Sequence, residues 1–150
     1  MTLGAIRTKP FSQAKAELSA LMDQVVRQHR PTVISRRRES MVALSLEDLR
    51  SLLETFRFGP RVVVGRKETV ATLDDLGLVG SGPSLDSAID DLLEELRAYA
   101  ADFVSRYAFY MQTDRRAHAP LILRFALTPP EEQRDLLIEE PADDEVAPIR

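Results

Sequence analysis

The 150-residue chain contains no cysteine. This absence excludes disulfides, thiolate zinc sites and cysteine nucleophiles, so stability has to come from packing. The chain also has no apolar run near the roughly 18 residues that a membrane-spanning helix needs, and its N-terminus has no apolar segment of signal-peptide length. We therefore expect a cytoplasmic protein that is not embedded in a membrane.

Arrangements typical of catalysis are missing as well. The aspartate pairs at 74–75 and 90–91 consist of adjacent residues, which point in different directions on a strand or a helix and do not form an acid/base dyad. His29 and His118 stand alone in the sequence, and neither a phosphate-binding loop nor a metal-ligand spacing is present. The sequence therefore predicts no enzyme, no cofactor and no metal site.

Charge is distributed unevenly along the chain, although the net charge is only −4. Residues 1–57 hold 10 Lys/Arg against 6 Asp/Glu, a net of +4, whereas residues 58–150 hold 10 against 18, a net of −8. Residues 1–38 are the most basic, with 8 against 2, a net of +6. A basic segment attracts phosphates, whereas an acidic half is repelled by DNA and suits a basic protein partner.

The first 57 residues read as a small mixed unit. Residues 4–8 predict a short strand, and Ser12 is the expected N-cap of an amphipathic helix that ends at Pro31. Strands at 32–34 and 41–44 flank a turn at 36–40, and Ser45 with Asp48 three residues later predicts a capping box for a helix over 46–56. The apolar stripe predicted for the first helix consists of Ala14, Leu18, Leu21, Met22 and Val25.

The second half predicts a small sheet followed by helices. Strands are expected at 61–64 and 68–73 around a turn at 65–67, with a further strand at 76–79. Ser84 then caps a long helix, and later helices are expected at 117–127 and from the Thr-Pro-Pro-Glu start at 128–131 to about residue 139. Residues 141–150 are acidic and contain proline, which predicts a disordered tail. The apolar seam of the long helix consists of Leu85, Ile89, Leu92, Leu96, Tyr99, Phe103 and Tyr107.

The basic residues of the first unit are candidates for phosphate contacts. Arg7 and Lys9 precede the first helix, Lys15 lies in it, and an arginine run occupies the hairpin, where alternate side chains point to opposite faces. A solvated basic face is the competing interpretation of such a cluster. The predicted DNA-binding residues are Arg7, Lys9, Ser12, Gln13, Lys15, Arg36, Arg37 and Arg38.

The order of these motifs resembles the Phd/YefM family of bacterial antitoxins over about residues 5–56. Residues 12–18, Ser-Gln-Ala-Lys-Ala-Glu-Leu, are similar to the family's Ser-x-Ala-Arg-x-x-Leu, which puts Lys15 at its basic DNA-contact position. Ser35-Arg36 resembles the Thr-Arg at the strand end, and residues 45–48 resemble the helix start; the family's hairpin contact corresponds to either Arg36 or Arg37. The resemblance implies a symmetric dimer that represses its own operator.

Residues 76–88 are faintly similar to the strand-turn-helix element of HicB-like domains, another antitoxin module. The seam of the long helix has two possible uses: it is the core of the second domain, which is the more common use of such a stripe, or it docks a toxin. Acidic residues nearby would then face a basic toxin. The predicted toxin-binding residues are Leu92, Leu96, Tyr99, Phe103, Tyr107 and Tyr110.

These observations predict an α+β protein: a Phd/YefM-like unit of short strand, helix, β-hairpin and helix, followed by a domain with a small sheet and a long helix. Residues 1–57 are expected to bind DNA and to dimerise, and residues 60–140 to bind and neutralise a toxin. The predicted function is that of a type II antitoxin, a homodimer that forms larger assemblies with its toxin and represses its operon. The alternative is a protein-interaction adaptor or a stand-alone regulator without a toxin partner.

Overall fold

The chain folds as a mixed α+β protein, as predicted, and divides into two compact units at Leu52/Leu53. The computed structural model describes residues 5–139, so the tail expected at 141–150 lies outside the described residues. Unit 1 extends to Leu52 and unit 2 begins at Leu53.

Unit 1 is a three-stranded sheet with helices. Strand β1 (Arg7–Pro10) runs parallel to β2 (Thr32–Arg36), and β2 runs antiparallel to β3 (Glu39–Ala43). Helices α1 (Phe11–Ala16) and α2 (Leu18–Val26) connect β1 to β2, and α3 (Leu46–Leu53) follows β3. The core of the unit is small and consists of Ala14, Leu21 and Val25, with Ile34 and Ala43 packed against them.

The first helix departs from its prediction in three ways. Ser12 is not the N-cap, because the helix already begins at Phe11 after the extended residue Pro10. The chain then breaks at Glu17 (φ −112°, ψ 28°), so the predicted single helix is two short ones. Leu18 and Met22, predicted to lie in the core, are 62% and 64% exposed.

The hairpin turn of unit 1 is tighter than expected. Both strands continue into the predicted 36–40 turn, and only Arg37 and Arg38 connect Arg36 to Glu39. Arg37 has a φ of 55°, a left-handed conformation that costs energy for a residue with a side chain and that glycine adopts freely. The capping serine behaves as predicted, since Ser45 Oγ accepts the Asp48 backbone N–H at 3.0 Å. Helix α3 ends at Leu53, however, three residues earlier than expected.

Unit 2 begins with an antiparallel sheet in the order β4-β5-β6. Its strands are β4 (Arg61–Val64), β5 (Thr69–Leu73) and β6 (Leu78–Gly82), with a 3-10 turn at Asp74–Leu76. The long helix α4 (Leu85–Ser105) starts as predicted, because Ser84 and Ser87 form a reciprocal capping box. It ends two residues before Tyr107, which begins α5 (Tyr107–Tyr110). A 3-10 turn (Asp114–His118), α6 (Ala119–Ala126), a second 3-10 turn (Pro130–Glu132) and α7 (Gln133–Ile138) complete the unit.

The core of unit 2 is built around α4. Leu92, Leu96 and Phe103 are completely buried there, together with residues from β5, α6 and α7. The sheet approaches the helix closely at Gly80, where a Cβ would lie 2.3 Å from the Leu92 nitrogen, so a larger residue would push β6 away from α4.

A buried guanidinium joins Phe56, near the start of unit 2, to Glu139, the last residue that the structure describes. Arg124, on α6, donates to the Phe56 carbonyl oxygen at 2.8 Å and to the Glu139 carboxylate at 2.7 and 3.1 Å. Only 9% of the Arg124 side chain is exposed, so its charge depends on these acceptors for compensation.

Candidate functional site

The arginine-bearing hairpin and helix α1 meet at one point on unit 1. Pro10, the last residue of β1, pairs with Ser35, which places the start of α1 beside the end of β2. The Arg36 guanidinium lies over the Phe11 ring, 5.3 Å from its centroid, and donates to Glu39 Oε2 at 3.0 Å. The aromatic ring and the carboxylate together hold the Arg36 side chain in place at the surface.

Lys15 extends the same basic surface along α1. It lies four residues after Phe11, and side chains at this spacing are neighbours on one face of a helix. Arg37 and Arg38 are exposed at the turn beyond Arg36. Arg36, Arg37 and Arg38 line one shallow cavity of the hairpin, Arg36 lies over Phe11, and Lys15 lies one helical turn after Phe11. We call these four exposed cations the basic surface.

The other four predicted DNA-contact residues are not part of the basic surface and do not form a second cluster of their own. Lys9 and Gln13 both donate to Glu17 Oε2, at 3.4 and 3.5 Å, and only 15% of the Lys9 side chain is exposed. Arg7 is exposed on β1, two residues before Lys9 and on the same face of the strand. Ser12 is exposed on α1.

The structure adds one residue that the sequence analysis passed over. Phe11 is exposed and lines a shallow pocket of about 190 Å³ beside Arg36. The sequence could have indicated Phe11, because it lies directly after Pro10 at the start of the helical pattern. An aromatic residue at such a position is more often part of a core, so Phe11 was not predicted to be part of a binding surface. The other residues that line the pocket are Ile34, Glu39, Ser40 and Met41.

A histidine and an aspartate connect the end of α2 to the start of α3. His29 Nδ1 lies 2.9 Å from Asp48 Oδ1, and His29 holds a left-handed φ of 50°. The pKa of Asp48 lies below its usual value, mainly because of hydrogen bonding with the Ser45 side chain and, less strongly, because of His29. The ionised carboxylate of Asp48 thus helps to hold α2 and α3 together.

Unit 1 also exposes an apolar stripe on α2. Leu18, Met22 and Val26 follow each other at intervals of four residues, so they lie along one face of the helix. Leu21 and Val25 of the same helix are buried in the core of the unit. The α2 stripe is therefore a second apolar face, beyond the one that unit 1 needs for its own packing.

Most of the predicted toxin-binding residues lie in the core of unit 2. Leu92, Leu96, Phe103 and Tyr110 are buried, which agrees with the other interpretation of the seam, that of a domain core. Tyr99 is half-buried, and Tyr107 is exposed. A partner can reach the four buried side chains only if unit 2 opens, and contact between them and a toxin stays a prediction.

Aromatic rings fill the end of this core. Phe103 stacks on Tyr110 with ring centroids 4.5 Å apart, and the Tyr110 hydroxyl donates a short hydrogen bond to Asp102. The Tyr99 hydroxyl lies 2.7 Å from His118 Nδ1. Burial lowers the pKa of His118, with a smaller contribution from the Arg115 charge, so the neutral imidazole is favoured at this position.

An exposed aromatic patch lies beside this cluster. Tyr107 and Phe109 on α5 are exposed, and the Arg106 guanidinium covers the Phe109 ring at 4.6 Å. Val104 and Met111 are exposed next to them in the chain. We call the exposed side chains of residues 104, 107, 109 and 111 the aromatic patch, and large side chains of this kind can anchor protein interfaces.

No group of three or more His, Asp or Glu side chains in residues 5–139 is arranged to hold a metal ion. Over the same part of the chain, no helix is both long enough and apolar enough to cross a bilayer.

Comparison with known proteins points to one class. Residues 6–140 match a family model described as PHD-like, antitoxin of toxin–antitoxin, RelE/RelB, TA system. The fold is similar to the crystal structure, at 1.80 Å resolution, of the antitoxin part of a proposed toxin/antitoxin system from Syntrophomonas wolfei subsp. wolfei. The TM-score is 0.80 at 25% sequence identity, over 88% of this chain and 96% of that chain. A search of curated proteins finds no match.

Proposed function

The chain belongs to the PHD-like family of antitoxins from RelE/RelB-type toxin–antitoxin systems, and we propose on this basis that it neutralises a cognate toxin through unit 2 and represses its own operon through unit 1. Unit 1 acts as a Phd/YefM-type dimer on operator DNA. In this proposal the protein is a regulatory binding protein of the cytoplasm. Unit 2 binds the toxin and blocks it, and unit 1 binds the operator and blocks transcription.

The basic surface is the observation that carries the DNA-binding proposal. Its side chains come from α1 and from the hairpin, and Arg36 is held between Phe11 and Glu39. Cations that are held in place bind phosphates with less loss of side-chain entropy, and each phosphate contact releases counterions from the DNA. Arg36 has a planar guanidinium that suits bidentate recognition, whereas Lys15 acts as a point charge.

The α2 stripe supports the dimer. Apolar side chains at regular helical spacing are costly to leave in water, and burial between two copies removes them from it. A two-fold dimer presents two basic surfaces to the two halves of a palindromic site. In the proposed dimer, the α2 stripe therefore forms the contact between the two copies, and the basic surface of each copy contacts the DNA.

Arg36→Ala is expected to weaken operator binding about tenfold and to reduce the salt dependence of binding by about one phosphate contact for each copy. The measurement is a mobility shift or fluorescence-anisotropy titration on the DNA upstream of the protein's own reading frame, at several salt concentrations.

The matched control for this experiment is Arg27→Ala. Arg27 lies in the same unit, its side chain is 80% exposed, and it pairs only loosely with Asp23 at 3.5 Å. Removal of its charge tests whether net charge alone explains a loss of affinity. Equal effects from the two variants would mean that the basic surface has no special role.

Toxin binding is proposed for the aromatic patch rather than for the buried seam. Phe109 is 52% exposed and can enter a pocket on a partner without any rearrangement of the unit 2 core. The net charge of −8 over residues 58–150 suits a toxin with a basic, RNA-contacting surface. The four buried residues of the seam then support the patch from below.

Phe109→Ala is expected to weaken binding of the cognate toxin by about tenfold or more, as the loss of an aromatic anchor does. Calorimetry with the protein encoded by the adjacent reading frame measures the affinity, and co-expression growth assays measure neutralisation. Leu85→Ala is the control, because Leu85 is 51% exposed at the other end of the α4–α5 region. If the toxin binds Phe109→Ala and Leu85→Ala with the affinity of the parent chain, the aromatic patch is not its binding site.

A further inference from the structure

Strand β4 is the exposed edge of the unit 2 sheet. It pairs only with β5 in the part of the chain that the structure describes, and all four of its residues are exposed. Val62, Val63 and Val64 are 39%, 54% and 76% exposed. Because successive side chains of a strand point to opposite faces, β4 presents valines to water on both faces of the sheet. Exposed apolar edges of this kind pair with further strands unless they are protected.

The register of the sheet determines which backbone groups of β4 are free. The Gly65 N–H donates to the Glu68 carbonyl at 2.7 Å, so Gly65 and Glu68 form a hydrogen-bonded pair. Hydrogen-bonded and non-hydrogen-bonded pairs alternate along an antiparallel ladder, and Val63 opposite Val70 is therefore bonded to β5. The N–H and C=O groups of Val62 and Val64 consequently point away from β5, towards the open edge.

We propose that β4 pairs antiparallel with β4 of a second copy of this chain, with Val63 on the two-fold axis. In this register Val62 of each copy lies opposite Val64 of the other. Both residues have their free backbone groups on the open edge, so each pair exchanges both hydrogen bonds. The alternative centred on Val62 makes the same number of bonds, but it places Val64 opposite Pro60, which has no N–H to donate, and so leaves the Val64 carbonyl oxygen of each copy without a partner.

The side chains fit the same register. Val62 and Val64 from both copies form a cluster on one face, and the two Val63 side chains meet on the other face. Arg61 lies opposite Gly65, so no like charges are opposed, and its charge is already neutralised by Asp74 at 2.9 and 3.1 Å. Asp74 is held ionised there, because the hydrogen bond from Arg61 lowers its pKa.

The charge pattern excludes basic partner strands but is compatible with a second copy of β4. Pro60 and Arg61 precede the valines, and Arg66 and Lys67 follow them, so the apolar edge is limited to three residues between cations. A partner strand must not place cations opposite these residues, and β4 meets this condition in the proposed register, where Gly65 lies opposite Arg61 and Pro60 lies opposite Arg66. The interface is small compared with the roughly 1,200 Å² of a stable dimer, so pairing depends on protein concentration or on another contact that holds two chains together.

The test uses the absence of cysteine from the chain. Val63→Cys puts one thiol on the proposed axis, where residues of a non-hydrogen-bonded pair have Cα atoms about 4.5 Å apart, within the range that disulfides span. We expect the full-length variant to form a disulfide-linked dimer under mild oxidation roughly tenfold faster than Val79→Cys, because pairing raises the local thiol concentration. Val79 is 55% exposed on β6, at the other edge of the same sheet.

A second variant separates strand pairing from chance collision. Val64→Pro, added to Val63→Cys, removes an N–H that points away from β5, so it leaves the β4–β5 ladder intact but removes a bond to the second copy. We expect cross-linking to fall to the Val79→Cys rate, while circular dichroism stays that of the parent chain. Equal cross-linking rates for Val63→Cys and Val79→Cys would overturn the proposal. A structure of the complex in which a strand of the toxin pairs with β4 would overturn it as well.

Discussion

Phe103→Ala is expected to lower the free energy of unfolding of unit 2 by about 4 kcal/mol, the middle of the range for truncation of a buried aromatic residue. Phe103 has no exposed surface, it stacks on Tyr110 at 4.5 Å, and Tyr99 and Tyr107 meet its ring edge-on at 5.9 and 5.8 Å. Alanine leaves a cavity in the centre of this cluster that no neighbouring side chain is free to fill. Urea denaturation followed by circular dichroism measures the change.

Phe109→Ala is the matched control for stability, because it removes the same side chain from an exposed position, the second-last residue of α5. We expect its free energy of unfolding to stay within about 0.5 kcal/mol of the parent value. The two variants then separate the roles of the aromatic residues: Phe103→Ala loses stability and toxin binding together, whereas Phe109→Ala loses toxin binding alone. A stable Phe103→Ala variant would favour the toxin-docking interpretation of the seam.

Met22→Lys is expected to convert the proposed dimer into a monomer and to reduce the proposed operator affinity by about 100-fold or more, since two linked half-site contacts become one. Met22 is the centre of the α2 stripe and is 64% exposed, so lysine costs the single chain little. In a dimer, however, the same lysine places an unpaired charge at an apolar contact. Light scattering after gel filtration measures the mass, and the operator titration measures the affinity.

Ala20→Lys is the control on the same helix. Ala20 is exposed and lies on the side of α2 opposite Met22, so it adds the same charge away from the proposed contact. We expect this variant to remain a dimer and to bind the operator as the parent chain does. A dimeric Met22→Lys variant would show that the α2 stripe is not the dimer contact.

The helices and strands of this chain were predictable where capping residues, turn residues or short apolar runs determine them. The Ser84 cap, the first two strands of the unit 2 sheet and the start of α3 at Ser45 all follow from short-range signals that the structure confirms. The third strand, predicted at 76–79, is shifted to Leu78–Gly82, because Asp74–Leu76 form a 3-10 turn. The break at Glu17 was not predictable in this way, because no glycine or proline marks it and hydrogen bonds across it continue the helical pattern. Helical periodicity shows that two segments share a face, but it does not show whether the axis bends between them.

The candidate sites illustrate a second limit of the sequence. Leu18, Leu21, Met22 and Val25 look equivalent in a helical pattern, yet two are core residues and two are exposed, because unit 1 has only enough sheet and helix to cover one of the two faces. The seam of α4 was ambiguous for the same reason. Periodicity gives the apolar face of a helix, and only the packing of distant elements shows what covers it.

The Arg124 guanidinium has a consequence for how such proteins arise. By binding the Phe56 carbonyl and the Glu139 carboxylate, it brings the two ends of residues 56–139 to the same place. A segment whose ends are adjacent can be inserted beside another domain, or exchanged for a different one, without disturbing the path of the host chain. Residues 56–139 thus have the geometry of a transferable cassette and, in the proposed division of roles, their exchange would give the same DNA-binding unit a new toxin specificity.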